Sequence, residues 1–207
     1  REKKIPLFIL GGGTNVLFSD AGFSGLVLKP DVRFITVMNA LPETIAVTVG
    51  AGIAMSDLLD FCVQEGLSGL EWAGGLPGTV GGAIRGNAGA FKGEIKDLII
   101  NVVSMDISGK IPRLVKRANA ECLFAYRDSI FKKRDGKEII LAGTVLLMRG
   151  NPAYIRQAIQ GHIVWRESRQ PLDYPNAGSI FKNVAIARVS ASVREIPEMK
   201  RHIKNDP

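Results

Sequence analysis

The apolar positions of this chain fall into short, dense runs of β character, broken twice by patterns of helical period. Residues 5–10 form a continuous apolar run that reads as a buried strand. Residues 25–29, 33–38 and 44–49, rich in Val, Ile and Thr, read as further strands. From Met55 to Glu65 the period changes: Leu58, Leu59, Cys62 and Val63 share one helical face, with Ser56 as the candidate N-cap and Gly66 as the stop. Short helical turns are expected after Thr79. Residues 98–107 are β-like again, Ser108-Gly109-Lys110 supplies a hairpin turn, and a strand pair is expected around 138–148. Pro152 suits the first turn of a helix running to about Arg169, with Ile155, Ala158, Ile159, His162 and Ile163 at helical spacing. The segment 169–182 is turn-rich, and the charged tail after Asn183 carries Ser192 and Glu195 at capping-box spacing. Strand runs mixed with isolated helices predict an α+β fold rather than a regular βαβ series. Two regions are expected, 1–150 and 151–207.

Composition narrows the class without choosing the function. With 207 residues the chain can bury a proper core, and 46% hydrophobic with 23% charged residues is ordinary for a globular protein. The net charge of +7 favours anionic partners. The basic residues are scattered and only 7% of residues are aromatic, so small phosphorylated ligands fit as well as nucleic acid. Cys62 and Cys122 lie far apart without a CxxC pattern, which points to a reducing compartment and no disulfide framework. No apolar run approaches membrane-spanning length. The chain starts at Arg1 rather than Met and is expected to lack material at both ends.

Glycine is the loudest signal. Residues 69–89 hold eight glycines, and a second cluster, Gly11-Gly12-Gly13-Thr14-Asn15-Val16, follows the first apolar run. Glycine costs backbone entropy and packs no side chain, so such density needs a reason. One reason is a pair of tight turns. The other is a ligand lying on the main chain with amide N–H groups turned toward an anion, and two such loops suit a dinucleotide. A GxGxxG site does not fit: Val16 takes the third glycine position, and Gly22 and Gly25 interrupt the helix that should follow. Asp31 stands at the spacing of a ribose-binding acid, but without that helix the match is accidental. GxxxxGK[ST] is also missing.

Four segments in order carry a resemblance. Residues 11–18 resemble the flavin loop of the UDP-N-acetylenolpyruvoylglucosamine reductase family. The stretch Pro77-Gly78-Thr79-Val80-Gly81-Gly82 with Asn87-Ala88-Gly89-Ala90 resembles that family's second flavin-contacting segment. Tyr126-Arg127-Asp128-Ser129 is similar to its Tyr-Arg-x-Ser motif, and Ala177-Gly178-Ser179-Ile180-Phe181-Lys182-Asn183 to its Ala-Gly-Ser-x-Phe-Lys-Asn motif. The resemblance implies an FAD-binding fold of the vanillyl-alcohol oxidase-like type, followed by an α+β substrate-binding region. It also implies bound FAD, NADPH as hydride source, UDP-GlcNAc enolpyruvate as acceptor, and UDP-N-acetylmuramate as product for peptidoglycan synthesis. A cytoplasmic enzyme without nucleic-acid, membrane or obligate protein partners is expected.

Roles follow from that resemblance. Gly11, Gly12, Gly13, Thr14, Asn15, Val16, Pro77, Gly78, Thr79, Gly81, Gly82 and Asn87 are the expected flavin contacts. Arg127 and Ser179 are the catalytic candidates: a fixed guanidinium beside the charge that hydride addition creates, and a hydroxyl that gives the proton. Each has a plain alternative, an ion pair with Asp128 or another acid for Arg127 and a turn serine for Ser179. Tyr126, Lys182 and Asn183 are expected to meet the substrate, as is Arg169 on its charge alone; Tyr126 could equally pack. Trp72 reads as a core anchor before a flavin contact, and His162 as a core or boundary residue. A family glutamate belongs in the segment after the serine motif, where Glu195 and Glu198 are the acids present but neither stands in its context. Two histidines without an acidic or cysteine cluster give little support to a metal site.

Overall fold

The computed structural model describes residues 5–171, 177–178, 182 and 190–196, so Ser179 and Asn183 lie outside the described residues. The chain forms two compact units, 1–177 and 178–207.

The first unit opens with β1 (Leu7–Ile9) running parallel to β2 (Leu26–Leu28), in register Leu7 to Leu26. The expected strand is present but half-buried rather than buried. The crossover between the two strands contains no helix. It folds back on itself through an aromatic trio, with Phe8 5.1 Å from Phe18 and 5.8 Å from Phe23. The first glycine cluster therefore leaves the C-terminal end of a parallel strand, where open sheets place ligands.

A larger antiparallel sheet follows: β3 (Ile35–Ala40), β4 (Thr44–Gly50), β8 (Ile99–Asp106), β9 (Arg113–Ala118) and β10 (Glu138–Arg149), in spatial order β3-β4-β10-β8-β9. The expected strand pair at 138–148 is instead one twelve-residue strand. Register shifts near Ile140 and Thr144 let it bend and serve three neighbours. Alternation works as the pattern predicts: Ile45, Val47, Val49, Val145 and Leu147 point into the core.

Helix α1 (Met55–Glu65) covers that face with Leu58, Leu59, Cys62 and Val63, and Gly66 ends it in a left-handed conformation (φ 65°). Ser56 is not its cap. The helix starts at Met55, as expected, so Ser56 lies within its first turn, and the Met55 N–H donates to the Gly78 carbonyl at 3.0 Å. A tertiary bond does the work of the side-chain cap. β5 (Leu67–Ser68) then pairs with the end of β10.

Next come α2 (Val80–Gly86) and the hairpin β6 (Gly89–Ala90) with β7 (Gly93–Glu94). Gly143 of β10 lets α2 sit close, since a Cβ there would lie 2.5 Å from Ile84. A short helix, α3 (Ile130–Lys133), precedes β10. α4 (Pro152–Glu167) follows it, started by Asn151, whose side chain accepts from the Ala153 N–H at 2.8 Å. In the second unit α5 (Ala191–Arg194) begins at Ala191, so Ser192 lies inside the helix rather than capping it. No described helix is long and apolar enough to cross a membrane.

Candidate functional site

The two glycine loops touch. A Cβ on Gly12 would lie 2.8 Å from the Gly78 Cα, one on Gly11 2.9 Å from Thr79 Oγ1, and one on Gly78 2.9 Å from Thr14 Oγ1. Side chains at these positions would force the loops apart. That contact is the reason for glycine here.

Residues 51–54 hold the second loop in place by a short zipper. Val80 N–H donates to the Ile53 carbonyl and Gly81 N–H to the Ala51 carbonyl, both at 2.9 Å. The first amides of α2 are therefore already used, and Thr79 Oγ1 accepts from Gly82 N–H. The amides of Gly11, Gly12, Gly13, Gly78 and Thr79 are different: among the described residues none of them meets an acceptor. Gly13 (φ 74°) and Gly78 (φ 103°) adopt left-handed backbone, which glycine takes without steric cost.

Cavities open on both sides of the contact. One is lined by Gly12, Thr14, Gly78 and Thr79 together with Lys29, Arg33 and Gly52. It has no acid in its wall, and Arg33 shares its charge with Asp31. The other is lined by Gly11, Thr79, Gly81 and Gly82, the apolar Ile9, Ala51, Phe131 and Ile140, and the charged Arg85, Asp135 and Glu138. Arg85 pairs with Asp135 at 2.9 Å. Glu138 is fully buried and takes a fork of two bonds from Arg117, at 2.9 and 3.0 Å, plus one from Ser104 at 2.6 Å. Burial pushes its carboxyl up, but the Arg117 and Ser104 bonds and the nearby Arg134 outweigh that and hold it below the ordinary carboxylate range. The first cavity thus has only basic charges in its wall, and the second sets apolar side chains beside Arg85, Asp135 and Glu138. Uncommitted amides stand where the two meet.

These residues fit the anionic, flat-ringed dinucleotide that the glycine pattern suggests. The amides and Lys29 suit a diphosphate, and the apolar walls suit an aromatic ring.

Of the expected flavin contacts, Gly11, Gly12, Thr14, Gly78, Thr79, Gly81 and Gly82 line the groove. Gly13 stands open beside it, and Asn15, Val16 and Pro77 are exposed without lining either cavity. Asn87 is fully buried away from both. Its Nδ2 donates to the Ala125 carbonyl (2.9 Å) and Glu94 Oε2 (3.2 Å), and its Oδ1 accepts from Lys96 N–H (3.2 Å). Other glycines serve packing: a Cβ on Gly74 would strike Ile159 of α4 at 2.5 Å, and one on Gly93 the Trp72 ring. Trp72 itself is buried in the core.

Arg127 is half-buried, and its Nη2 donates to the Gly89 carbonyl at 2.7 Å. Its guanidinium lies 5.4 Å from the centre of the half-exposed Tyr126 ring. The expected alternative, a bond to Asp128, is not made; Asp128 faces Lys133 at 3.8 Å. Arg169 is exposed and sits over Trp165, 4.6 Å from the ring centre, lining neither cavity. Lys182, in the second unit, is exposed. His162 stacks on Phe91 at 4.0 Å, a boundary role. Asp31, dismissed as a ribose ligand, is a surface partner of Arg33. Sequence reasoning missed Lys29, Arg33, Arg85 and Glu138. The two basic residues flanking Asp31, directly after a strand, were the available signal. No group of His, Cys, Asp or Glu suited to a metal occurs among the described residues.

Comparison with known proteins agrees with the geometry. Residues 1–114 match the FAD binding domain family. The chain is 39% identical over 182 residues to the UDP-N-acetylenolpyruvoylglucosamine reductase of Caldanaerobacter subterraneus subsp. tengcongensis, and 38% identical to that of Clostridium perfringens. Each alignment covers 88% of this chain and 57% of the relative. A crystal structure of UDP-N-acetylenolpyruvylglucosamine reductase from Thermus caldophilus superposes with a TM-score of 0.70 at 25% identity, covering 87% of this chain and 62% of that one. The chain thus spans a little over half the length of the curated relatives it matches. It belongs to the FAD-binding domain family and is homologous, over most of its length, to the UDP-N-acetylenolpyruvoylglucosamine reductases.

Proposed function

We propose that this chain binds FAD in the glycine groove and serves a cytoplasmic, NADPH-dependent reduction of UDP-GlcNAc enolpyruvate to UDP-N-acetylmuramate, a peptidoglycan precursor. The observation that carries the reading is the meeting of the two glycine loops, with uncommitted amides between a cationic and an apolar cavity. FAD, when bound, would accept hydride from NADPH and pass it to one carbon of the enolpyruvyl double bond.

The protein's share is position and charge. Gly12, Gly13, Gly78 and Thr79 offer main-chain donors, and Lys29 offers a cation, to the diphosphate. α2 runs from this groove to Asn87 over seven residues, about 10 Å at 1.5 Å per residue. Asn87 in turn bonds the turn that bears Arg127. Arg127 faces the substrate carboxylate and stabilises the negative charge that builds beside it as hydride adds. Ser179 gives the proton to the neighbouring carbon, with Lys182 easing the transient alkoxide. Tyr126, Arg169 and Asn183 contact the nucleotide sugar.

A second reading is a flavin- or nucleotide-sugar-binding module without turnover. One preparation separates the two. Purified protein should be yellow and should oxidise NADPH only when the enolpyruvyl sugar is added. Flavin binding without sugar-dependent oxidation favours the module. Colourless protein that FAD does not reconstitute ends the reductase reading and the flavin-binding form of the second.

A further inference from the structure

Backbone strain in this molecule is concentrated. Among the described residues, five that are not glycine have φ in the left-handed region: Asn87 (44°), Phe91 (49°), Lys92 (68°), Leu123 (48°) and Arg127 (54°). All five fall in two segments, 87–92 and 123–127, which lie far apart in sequence. Phe91 and Lys92 form the two-residue tip of the β6–β7 hairpin, a place that normally takes Asn or Gly. Conformations of this kind persist only where surroundings over-determine them, which is most often at functional sites.

The surroundings here converge on one side chain. Asn87 uses its whole amide to join three pieces: the Ala125 carbonyl, the Glu94 carboxylate at the base of the hairpin, and the Lys96 N–H. Ala125 and Asp128 bond each other reciprocally at 3.0 Å, closing a tight turn around Tyr126 and Arg127. Lys132 Nζ donates to the Arg127 carbonyl at 3.0 Å. From the far side, the Gly89 carbonyl of the hairpin accepts from the Arg127 guanidinium at 2.7 Å. Asn87 thus holds the turn that carries Arg127 and also the hairpin that its side chain rests on. Its own αL backbone caps α2, with N–H bonds to Ala83 and Ile84, so it ties both to the helix that starts at the glycine groove.

We infer that Asn87 is a positioning residue: it fixes Arg127 relative to α2, and so relative to the ligand held at the other end of that helix. This replaces a direct flavin contact as the role of Asn87, and its functional half rests on the reading of Arg127 given above. Misplacing a charged group by about an ångström can cost up to a hundredfold in its effect.

Two variants of the full chain test it. Asn87→Asp keeps the shape but turns the Nδ2 donor into a third acceptor beside Ala125 and Glu94. Asn87→Gly suits the left-handed backbone and removes the amide altogether, which keeps the test open should the buried aspartate prevent folding. In each folded variant the Ala125 and Asp128 amides should exchange with deuterium faster than in the parent, while those of α1 and β10 stay protected. FAD content should be unchanged, and the enolpyruvyl sugar should bind on the order of tenfold or more weakly. Turn amides protected as in the parent overturn the inference. So does a loss of FAD that matches the loss of sugar binding, which is what a direct flavin contact or a general destabilisation would give. A parent protein that binds FAD but no enolpyruvyl sugar would instead sink the substrate reading, and exchange at the turn would still decide whether Asn87 holds it.

Discussion

At the scale of single residues, the groove depends on a carboxylate that sits where carboxylates rarely do. Glu138 begins β10 with no exposed side-chain surface, in the wall of the apolar cavity. It is tolerated there because Arg117 of β9 reaches it with two parallel bonds and Ser104 of β8 adds a third. Removing one partner of a buried pair leaves an uncompensated charge, which costs more than the pair was worth. Arg117→Met should therefore lower unfolding free energy by about 3 kcal/mol, the low end of the usual range because Ser104 and Arg134 remain. Urea denaturation followed by tryptophan fluorescence would measure it. A change below about 0.5 kcal/mol, typical of exposed pairs, would show the bond to be a surface contact.

Among the elements, the loops decide more than the strands and helices. Gly12 and Gly78 approach so closely that a single methyl must open the groove, whereas Gly13 has open space around it. Gly12→Ala should fold with a melting temperature near the parent's and lose most of its flavin absorbance, since the strain falls on two exposed loops and not on the core. Gly81→Ala pushes against Ala51 and its carbonyl, so it should lose both flavin and stability. If Gly12→Ala retains its yellow colour, the loop contact is not the binding site. The sequence announced the glycines but not this division of labour. Local chain patterns locate α1, α4 and the sheet strands, because each is a run of residues with its own period. They could not show that Gly74 and Gly93 make room for Ile159 and Trp72, or that Ser56 loses its capping role to the Gly78 carbonyl. Those depend on contacts between segments distant in sequence. Lys29 and Arg33 were hidden for the same reason: an unremarkable basic pair becomes a cavity wall only when the 11–14 and 78–79 loops fold over it.

Over the whole molecule, buried ionisable groups set both edges of the stable pH range. On the acid side, Glu138 and Glu94 have carboxyls held below their ordinary 4.5, in each case because hydrogen bonds and nearby cations overcome the upward push of burial. A depressed carboxyl stabilises the fold fully above its unfolded value, and that contribution is lost as pH falls through the folded one. On the alkaline side, burial raises Cys62 from 9.0 to about 12 and Cys122 to about 11. Their neutral thiols stabilise the fold below 9.0, and the benefit is lost as pH climbs toward the folded values. Stability measured by urea midpoint should therefore be level from roughly pH 5 to pH 9 and fall on either side. The two limbs have separate owners. Glu138→Gln should make the acid limb shallower, leaving the share that Glu94 owns, and spare the alkaline limb; Cys62→Ala should do the reverse, with Cys122 keeping its share, each at a lower plateau than the parent. Limbs unaltered by both variants would place the pH dependence in the exposed charges, where added salt would then shift it.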